Sequence, residues 1–137
     1  MADETTQAIF DLLAGDSVIV GLLSDFQGEP AIFTSKEVPP DAARPYIWTW
    51  GDITNVEFPV KDIPERDVVR DIHIVADDVG DEDEVMAIAN RVVDITHRAD
   101  LLIGSNNWMT VASGPRVTDS GDDVTERIVT VNFIYEL

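Results

Sequence analysis

The fold is decided by the segment Val68-Val69-Arg70-Asp71-Ile72-His73-Ile74-Val75-Ala76, which has the alternation of a β-strand. Val68, Ile72 and Ile74 share one face of this predicted strand, and Arg70 has the same parity nearer its edge. An apolar face of this kind needs a covering layer, because exposed aliphatic side chains contribute no hydrophobic stabilisation. The segment therefore predicts a sheet with a helix packed on one side.

A helical pattern follows directly, over about residues 82–99. Asp81 is placed to accept hydrogen bonds from the first-turn amides, and His97 and Arg98 lie at the opposite end, where the helix dipole favours positive charge. The apolar positions form a single stripe, consisting of Val85, Ile88, Ala89, Val92, Ile95, Thr96 and Ala99. We expect this stripe to pack on the strand.

The charge balance is strongly acidic. Among 137 residues, 27 are Asp or Glu and 9 are Lys or Arg, which gives a net charge of −18. Such a surface repels phosphate, so binding to nucleic acid or to an anionic membrane is disfavoured. At this length we expect a single domain over residues 1–137.

The same imbalance predicts adaptation to salt. Uncompensated negative charges repel one another in dilute buffer, whereas at molar salt the screening length falls to ~3 Å and most of the repulsion disappears. We therefore expect a protein from a salt-in halophile or from a virus of one. An acidic protein from an ordinary environment is the alternative.

Several sequence features that the chain lacks exclude further classes of function. The chain has no cysteine, so disulfides, zinc–thiolate sites and cysteine nucleophiles are excluded. No apolar run approaches the ~18 residues that suggest a transmembrane span. The start, Met1-Ala2-Asp3-Glu4, lacks the basic residues of a signal peptide, so we do not expect export by that route.

The segment from Gly51 to Glu65 fits neither a helix nor a strand pattern. Prolines interrupt it, yet it carries apolar residues with no evident place in the core, namely Val56, Phe58, Val60 and Ile63. A loop of this length is often functional, so we expect an extended arm that contacts another protein. The final strand is a second candidate contact, with Ile128 and Ile134 on one face and Tyr135 on the other.

The order of elements predicts an α+β fold. A helix over residues 5–13 and a further helical turn from Asp16 come first. We then expect an antiparallel or mixed sheet of about four strands, packed by the long helix and the N-terminal helices, with the arm between the second and third strands. Gly114-Pro115 predicts a bend or bulge in the penultimate strand.

No residues form a recognisable catalytic, cofactor or metal site. His73 lies mid-strand and His97 at a helix end, and neither adjoins a nucleophile motif, so structural or surface roles are expected. The acidic run at residues 77–84 lacks the ligand spacing of an EF-hand. Core or interface positions are expected for the tryptophans, Trp48, Trp50 and Trp108. We therefore expect a protein that is not an enzyme.

The chain as a whole resembles the tail-completion or tail-terminator proteins of long-tailed double-stranded DNA viruses. Two opening helices precede Ile32-Phe33, and a proline-rich connector leads into Arg44-Pro45-Tyr46-Ile47 and Gly51-Asp52. After the arm come a strand ending in Ile72-His73-Ile74-Val75, an acidic turn, a helix containing Ala87-Ile88-Ala89-Asn90-Arg91-Val92, and a closing hairpin. The resemblance spans nearly the full chain.

This resemblance implies a homo-oligomeric ring, typically six-fold, that ends the tail tube and joins it to the head-side connector. The implied partners are further copies of the chain, the tail tube protein and the connector protein, with DNA passing through the lumen without specific binding and no membrane contact. The implied location is the tail or neck of the virion, after assembly in the host cytoplasm. The expected subunit and tube contacts are Val56, Phe58, Val60, Ile63, Ile128, Ile134 and Tyr135.

Two alternative functions are compatible with the same sequence. A head-completion or adaptor protein of the same neck region shares the ring architecture. A small halophilic ligand-binding domain is the other, and it would require a pocket with converging polar groups, for example around His73 or the tryptophans.

Overall fold

The computed structural model describes residues 4–50, 54–58, 65–77, 83–103, 106–117 and 124–136. These residues fold as an α+β protein with a mixed sheet, in agreement with the predicted class. The helices are α1 (Glu4–Ala14), α2 (Ser17–Leu22) and α3 (Asp83–Thr96). The strands are β1 (Asp25–Phe26), β2 (Glu29–Pro30), β3 (Ile32–Phe33), β4 (Tyr46–Trp48), β5 (Thr54–Phe58), β6 (Glu65–Asp77), β7 (Asp100–Ile103), β8 (Asn106–Val117) and β9 (Val124–Glu136).

One large sheet organises the described residues. Its strands follow the order β3-β4-β6-β9-β8-β7, and β5 pairs with β6 beside this path. The pair β3–β4 is parallel and the other pairs are antiparallel. The expectation of about four strands is wrong, since the described part of the chain contributes seven strands to this sheet. β7 escaped prediction because its four residues follow the helix directly and are too few to show an alternation.

The strands β6 and β9 form the centre of this sheet. Each has 13 residues, and they pair continuously from Glu65 opposite Glu136 to Asp77 opposite Val124. At ~3.3 Å per residue this ladder is ~43 Å long. β9 also pairs with β8 on its other side, so it holds the two halves of the sheet together.

The predicted arm is in part a strand of the sheet. β5, at Thr54–Phe58, pairs antiparallel with the first residues of β6, where Thr54 stands opposite Val69. β4 pairs with the same edge of β6 further along, where Trp48 stands opposite His73. The sequence did not reveal β5, because a five-residue strand without a clear alternation is recognised only through its partner. Residues 51–53 and 59–64 of the predicted arm lie outside the described residues.

The helices pack on one face of the sheet, and the sheet curls around them. α3 packs on β6, β8 and β9 at the middle of the sheet. α1 contacts both β3 and β7, which are the two outer strands of the order given above. One helix can reach both ends of the strand order only if the sheet curls, so the helices lie on its concave side. Fully buried side chains of this core include Ile9, Leu13, Ile19, Ile72, Val85, Ile88, Val92, Val131 and Phe133.

The helix α3 is shorter than predicted, at 14 residues ending at Thr96. The residues after it pair with β8 instead: Arg98 donates its amide to the Thr110 carbonyl over 2.7 Å, and the Ala99 amide donates to the Thr110 hydroxyl oxygen over 2.9 Å. That hydroxyl in turn donates to the Thr96 carbonyl. Thr110 therefore caps the end of α3, and the prediction of a helix to residue 99 is wrong by one turn.

Arg70 lies in the core and not near an edge as expected. Its side chain is fully buried at 0% exposure. The guanidinium donates hydrogen bonds to two hydroxyl oxygens, that of Thr49, which directly follows β4, and that of Thr6 on α1. A cation at a core position of β6 thus helps to hold α1 against the sheet.

A β-bulge interrupts β8, as the sequence predicts. The register shifts between Ser113 and Arg116, so Gly114 and Pro115 together stand where a regular strand has one residue. Gly114 has a φ of +111°, and a Cβ at this position would lie 2.9 Å from the Ile128 carbonyl oxygen. Only glycine fits here without displacing β9.

We expect Gly114→Ala to lower the free energy of unfolding by ~2 kcal/mol, because alanine strains both the backbone and the contact with β9. Gly21→Ala is the matched control, since Gly21 lies in α2 and its added Cβ meets no atom within 4 Å. That control should stabilise the protein by ~0.5–1 kcal/mol through helix propensity. Urea unfolding measures both changes, and equal effects of the two substitutions would contradict the bulge geometry.

Asp16 joins α2 to α3. Its carboxylate accepts hydrogen bonds from the amides of Val18 and Ile19 at 3.0 Å each. It also accepts three hydrogen bonds from the Arg91 guanidinium, the shortest of 2.8 Å. The Arg91 hydrogen bonds hold the pKa of Asp16 below its ordinary value, against the opposing effect of burial and with help from the two amides. A lowered folded-state pKa stabilises the protein above the unfolded value of ~3.9, and this contribution is lost as the pH falls through the folded value.

We expect Asp16→Ala to cost ~1 kcal/mol of stability at neutral pH, as loss of an N-cap usually does. Asp16→Asn keeps a capping oxygen but lacks the charge that pairs with Arg91. Its deficit relative to the unmodified protein should therefore be present at pH 7 and shrink at pH values below ~3.9. Thermal melts across this range measure the deficit, and one that is independent of pH would contradict the assignment.

Candidate interaction surface

The convex face of the sheet is the surface that the described helices leave uncovered. Alternate positions of β6 and β9, such as Ile72 and Val131, point into the core, so the positions between them lie on the opposite face. We call this the open face. It comprises Trp48 and Trp50, Val69, Asp71, His73 and Val75 of β6, Met109, Val111, Ser113 and Arg116 of β8, and Glu126, Ile128, Thr130, Asn132 and Ile134 of β9.

Exposed apolar side chains lie along both edges of the open face. On the β8 side Met109 is 47% exposed and Val111 is 36% exposed, and Met109 stands opposite the half-buried Ile134. On the other side Trp50 is 55% exposed. Thr49 precedes it and donates its hydroxyl to the Asp71 carbonyl, which keeps Trp50 beside β6. Exposed apolar groups gathered in this way are typical of a protein–protein contact.

The Asp71 carboxylate on the open face is hydrogen-bonded and paired within the chain. Asp71 accepts a 2.6 Å hydrogen bond from the Thr130 hydroxyl and a 3.2 Å hydrogen bond from the Arg116 guanidinium. Glu126 lies 3.5 Å from Nδ1 of His73. The Arg116 guanidinium thus offsets the charge of Asp71, and interface centres are usually depleted of unpaired charge.

Aromatic side chains fill one end of the open face. The Trp48 and His73 rings lie 5.1 Å apart, and the Trp48 indole donates to the Ser35 carbonyl over 2.8 Å. Tyr46 packs edge-on against Phe33, and burial raises the pKa of its phenol. This end is packed by the chain itself, so the accessible apolar groups lie toward Trp50 and Val111.

The contact residues expected from the sequence do not all come together. Ile134 lies half-buried on the open face, whereas Ile128, on the same face, is only 7% exposed. Val56 and Phe58 are in β5. Tyr135 is in β9, where it stands opposite Trp108 of β8. Val60 and Ile63 lie outside the described residues.

Sequence reasoning missed the exposed residues of β8, Met109 and Val111. In the predicted penultimate strand, the one that contains Gly114-Pro115, strand alternation places these two side chains on a common face, opposite Trp108 and Thr110, which the structure buries. That pattern was available from the sequence, but it does not show which face the helices cover. Only the packing of α1 and α3 decides this.

The residues that the structure describes contain no cluster of three or more His, Asp or Glu side chains able to hold a metal ion. A depression of about 320 Å³ lies beside the proline-rich connector and is lined by Val38, Pro39, Pro40, Ala42, Arg44 and Tyr46. Neither histidine nor any tryptophan lines it, so it is not the pocket that a ligand-binding domain would need at those residues. None of the described helices is long and apolar enough to span a bilayer.

The fold has a counterpart among solved structures. A chain of the structure titled "Virion of native gene transfer agent (GTA) particle" superposes with a TM-score of 0.77, over 96% of this chain and 94% of that one. The chain shares its fold with a virion component. Sequence identity is 17%, so the likeness concerns architecture and not individual residues. No family model and no curated protein matches the sequence.

Proposed function

We propose that the protein is a structural component of a virus-like particle, and that it forms a ring that ends the tail tube and joins it to the head-side connector. The observation that carries this proposal is the shared fold with a virion chain over 96% of the sequence. The order of helices, connector, central strand and closing hairpin, which resembles tail-terminator proteins, supports the finer assignment.

The surface chemistry supports an assembly role over a catalytic one. Exposed Trp50, Met109 and Val111 have no cover within the described residues, and such groups are costly to leave in water unless they meet a partner. The edges of the sheet, at β5 and along the end of β8, add backbone groups that can pair with a neighbouring chain. We include Val56, Phe58, Val60, Ile63, Ile128, Ile134 and Tyr135 as proposed contacts with the tube or with other copies.

A separation of heads from tails tests the proposal. Particles are disrupted into filled heads and free tails, the two fractions are separated by density, and the protein is detected in each by immunoblot. We expect it at the end of free tails, where gold-labelled antibody should mark the end that faces the head. Its absence from purified particles would contradict a structural role altogether.

A head-completion or adaptor protein is the second candidate, because it shares the same neck location. The fractionation separates the two, since an adaptor stays with filled heads and a tail terminator stays with tails. Adding the purified protein to polymerising tail tube protein gives an independent measurement. A terminator should shorten the tubes in proportion to its concentration, and an adaptor should leave the tube length unchanged.

A further inference from the structure

We propose that His97 is a proton-sensitive cap on the outer edge of β8. The neutral imidazole holds the backbone amide of Ala112, and acid breaks this hydrogen bond and opens the edge of the sheet at that residue. The cap belongs to the folded chain by itself and is independent of the proposed ring. Its basis is the register of β8, the geometry of one hydrogen bond and the chemistry of imidazole.

The outer edge of β8 is paired over its first part. β7 pairs with residues 106–109, and just beyond them the Thr110 amide donates to the Ala99 carbonyl over 3.1 Å while its carbonyl accepts from the Arg98 amide. Among the described residues, no strand continues this side of the sheet beyond β7. Since alternate residues of an antiparallel strand direct their backbone groups to the same side, Ala112 is the next residue to present its amide at this edge.

His97 accepts this amide. The Ala112 N–H donates to Nδ1 of His97 over 3.2 Å. The amide of His97 itself donates to the Val93 carbonyl in the last turn of α3, so the backbone holds the ring beside β8. A ring nitrogen that accepts a hydrogen bond carries no proton, so the neutral ring has its proton on Nε2. Protonated imidazole has an N–H on both nitrogens, and therefore this hydrogen bond exists only in the neutral form.

The amide needs a cap because this part of β8 carries exposed apolar side chains. Val111 is 36% exposed and Val117 is 72% exposed. A free donor on an exposed apolar strand pairs readily with other strands. The bulge at residues 114–115 ends the regular alternation, and its proline has no N–H to offer. His97 thus covers the last regular outward amide of β8 before the bulge.

Three charged side chains stand near His97 along the chain. Asp94 lies one turn earlier on α3, Arg98 follows His97, and Asp100 begins β7. Positions 109–113 of β8 carry no titratable side chain. Since Asp94, Arg98 and Asp100 are exposed, about 1 M KCl screens their charges and isolates the effect of the hydrogen bond.

Hydrogen exchange of single amides, followed by NMR in that salt between about pH 8 and about pH 5, tests the cap. Rates are expressed as protection factors, which removes the pH dependence of exchange in an unfolded chain. We expect the protection of Ala112 to fall by about tenfold or more on acidification. Thr110 is the internal control, because its amide donates to a backbone carbonyl that does not titrate in this range, and its protection should not change.

Two variants identify the titrating group. His97→Ala should leave Ala112 with low protection at both ends of the pH range. The matched control is His73→Ala, which removes the other histidine, on β6, and should keep the pH dependence of Ala112. A fall in protection that persists in His97→Ala overturns the cap, as does a fall that is lost in His73→Ala.

The ring nitrogens of His97 give a second measurement on the unmodified protein, which decides the question even if a variant fails to fold. Their ¹⁵N chemical shifts at about pH 8 should show the proton on Nε2 and none on Nδ1. A proton on Nδ1 of the neutral ring overturns the cap. Protection of Ala112 that does not change with pH, or that changes in parallel with that of Thr110, overturns it as well.

Discussion

Raising KCl from about 0.1 M to about 3 M should raise the melting temperature of this protein by ~10 °C or more. The physical reason is the charge imbalance. Nine basic residues can neutralise at most nine of the 27 acidic ones, whatever their positions. The remaining charges repel one another within a small folded domain, and molar salt shortens the range of that repulsion to ~3 Å. Differential scanning calorimetry measures the change.

Sucrose at matched osmolality is the control for this salt effect. An excluded solute stabilises compact states without screening charge, so sucrose should reproduce only a small part of the increase. A melting temperature that does not rise with KCl would contradict the expectation of a salt-adapted protein. A similar rise with sucrose would mean that screening is not the cause.

The second large effect is expected at Arg70. Arg70→Ala should lower the free energy of unfolding by ~3–5 kcal/mol, since it removes a buried cation, its hydrogen bonds to Thr49 and Thr6, and most of a large side chain from the core. Urea unfolding measures the loss. Hydrogen exchange should show that α1 becomes less protected than α3, because Thr6 is on α1.

Two further substitutions separate the causes of that loss. Arg70→Met fills much of the same volume without the hydrogen bonds, so it should destabilise less than Arg70→Ala if packing dominates. Arg116→Ala removes an arginine whose side chain is 59% exposed, and it should cost no more than ~1 kcal/mol. A loss at Arg70 as small as the loss at Arg116 would contradict the role assigned to the buried guanidinium.

The parts of the fold that follow a local period were predictable from the sequence. β6 alternates strictly between core and open-face positions, and the apolar stripe of α3 recurs at helical spacing, so both were assigned to the correct residues within a turn. The bulge at Gly114 was also predictable from local sequence, because a Gly-Pro pair inside a strand pattern usually marks a bulge or a bend.

The parts that depend on distant partners were not predictable. Arg70 was expected nearer the edge of the strand, and its burial was not predictable because its partner Thr6 is 64 positions away. β5 was expected as an arm because its pairing with β6 leaves no periodic signal in five residues. The open face was not predictable either, because the sequence shows the two faces of a strand but not which one the helices cover.

The position of β9 between β6 and β8 affects how the chain acquires its structure. β9 is the last described strand in chain order, and the residues that it joins to β6 are far apart, as Asp71 and Thr130 are with 59 positions between them. Before β9 is made, β6 and β8 are two separate sheet fragments with unpaired edges. During synthesis the nascent polypeptide therefore exposes strand edges until β9 has left the ribosome, and a chaperone is most useful in that interval.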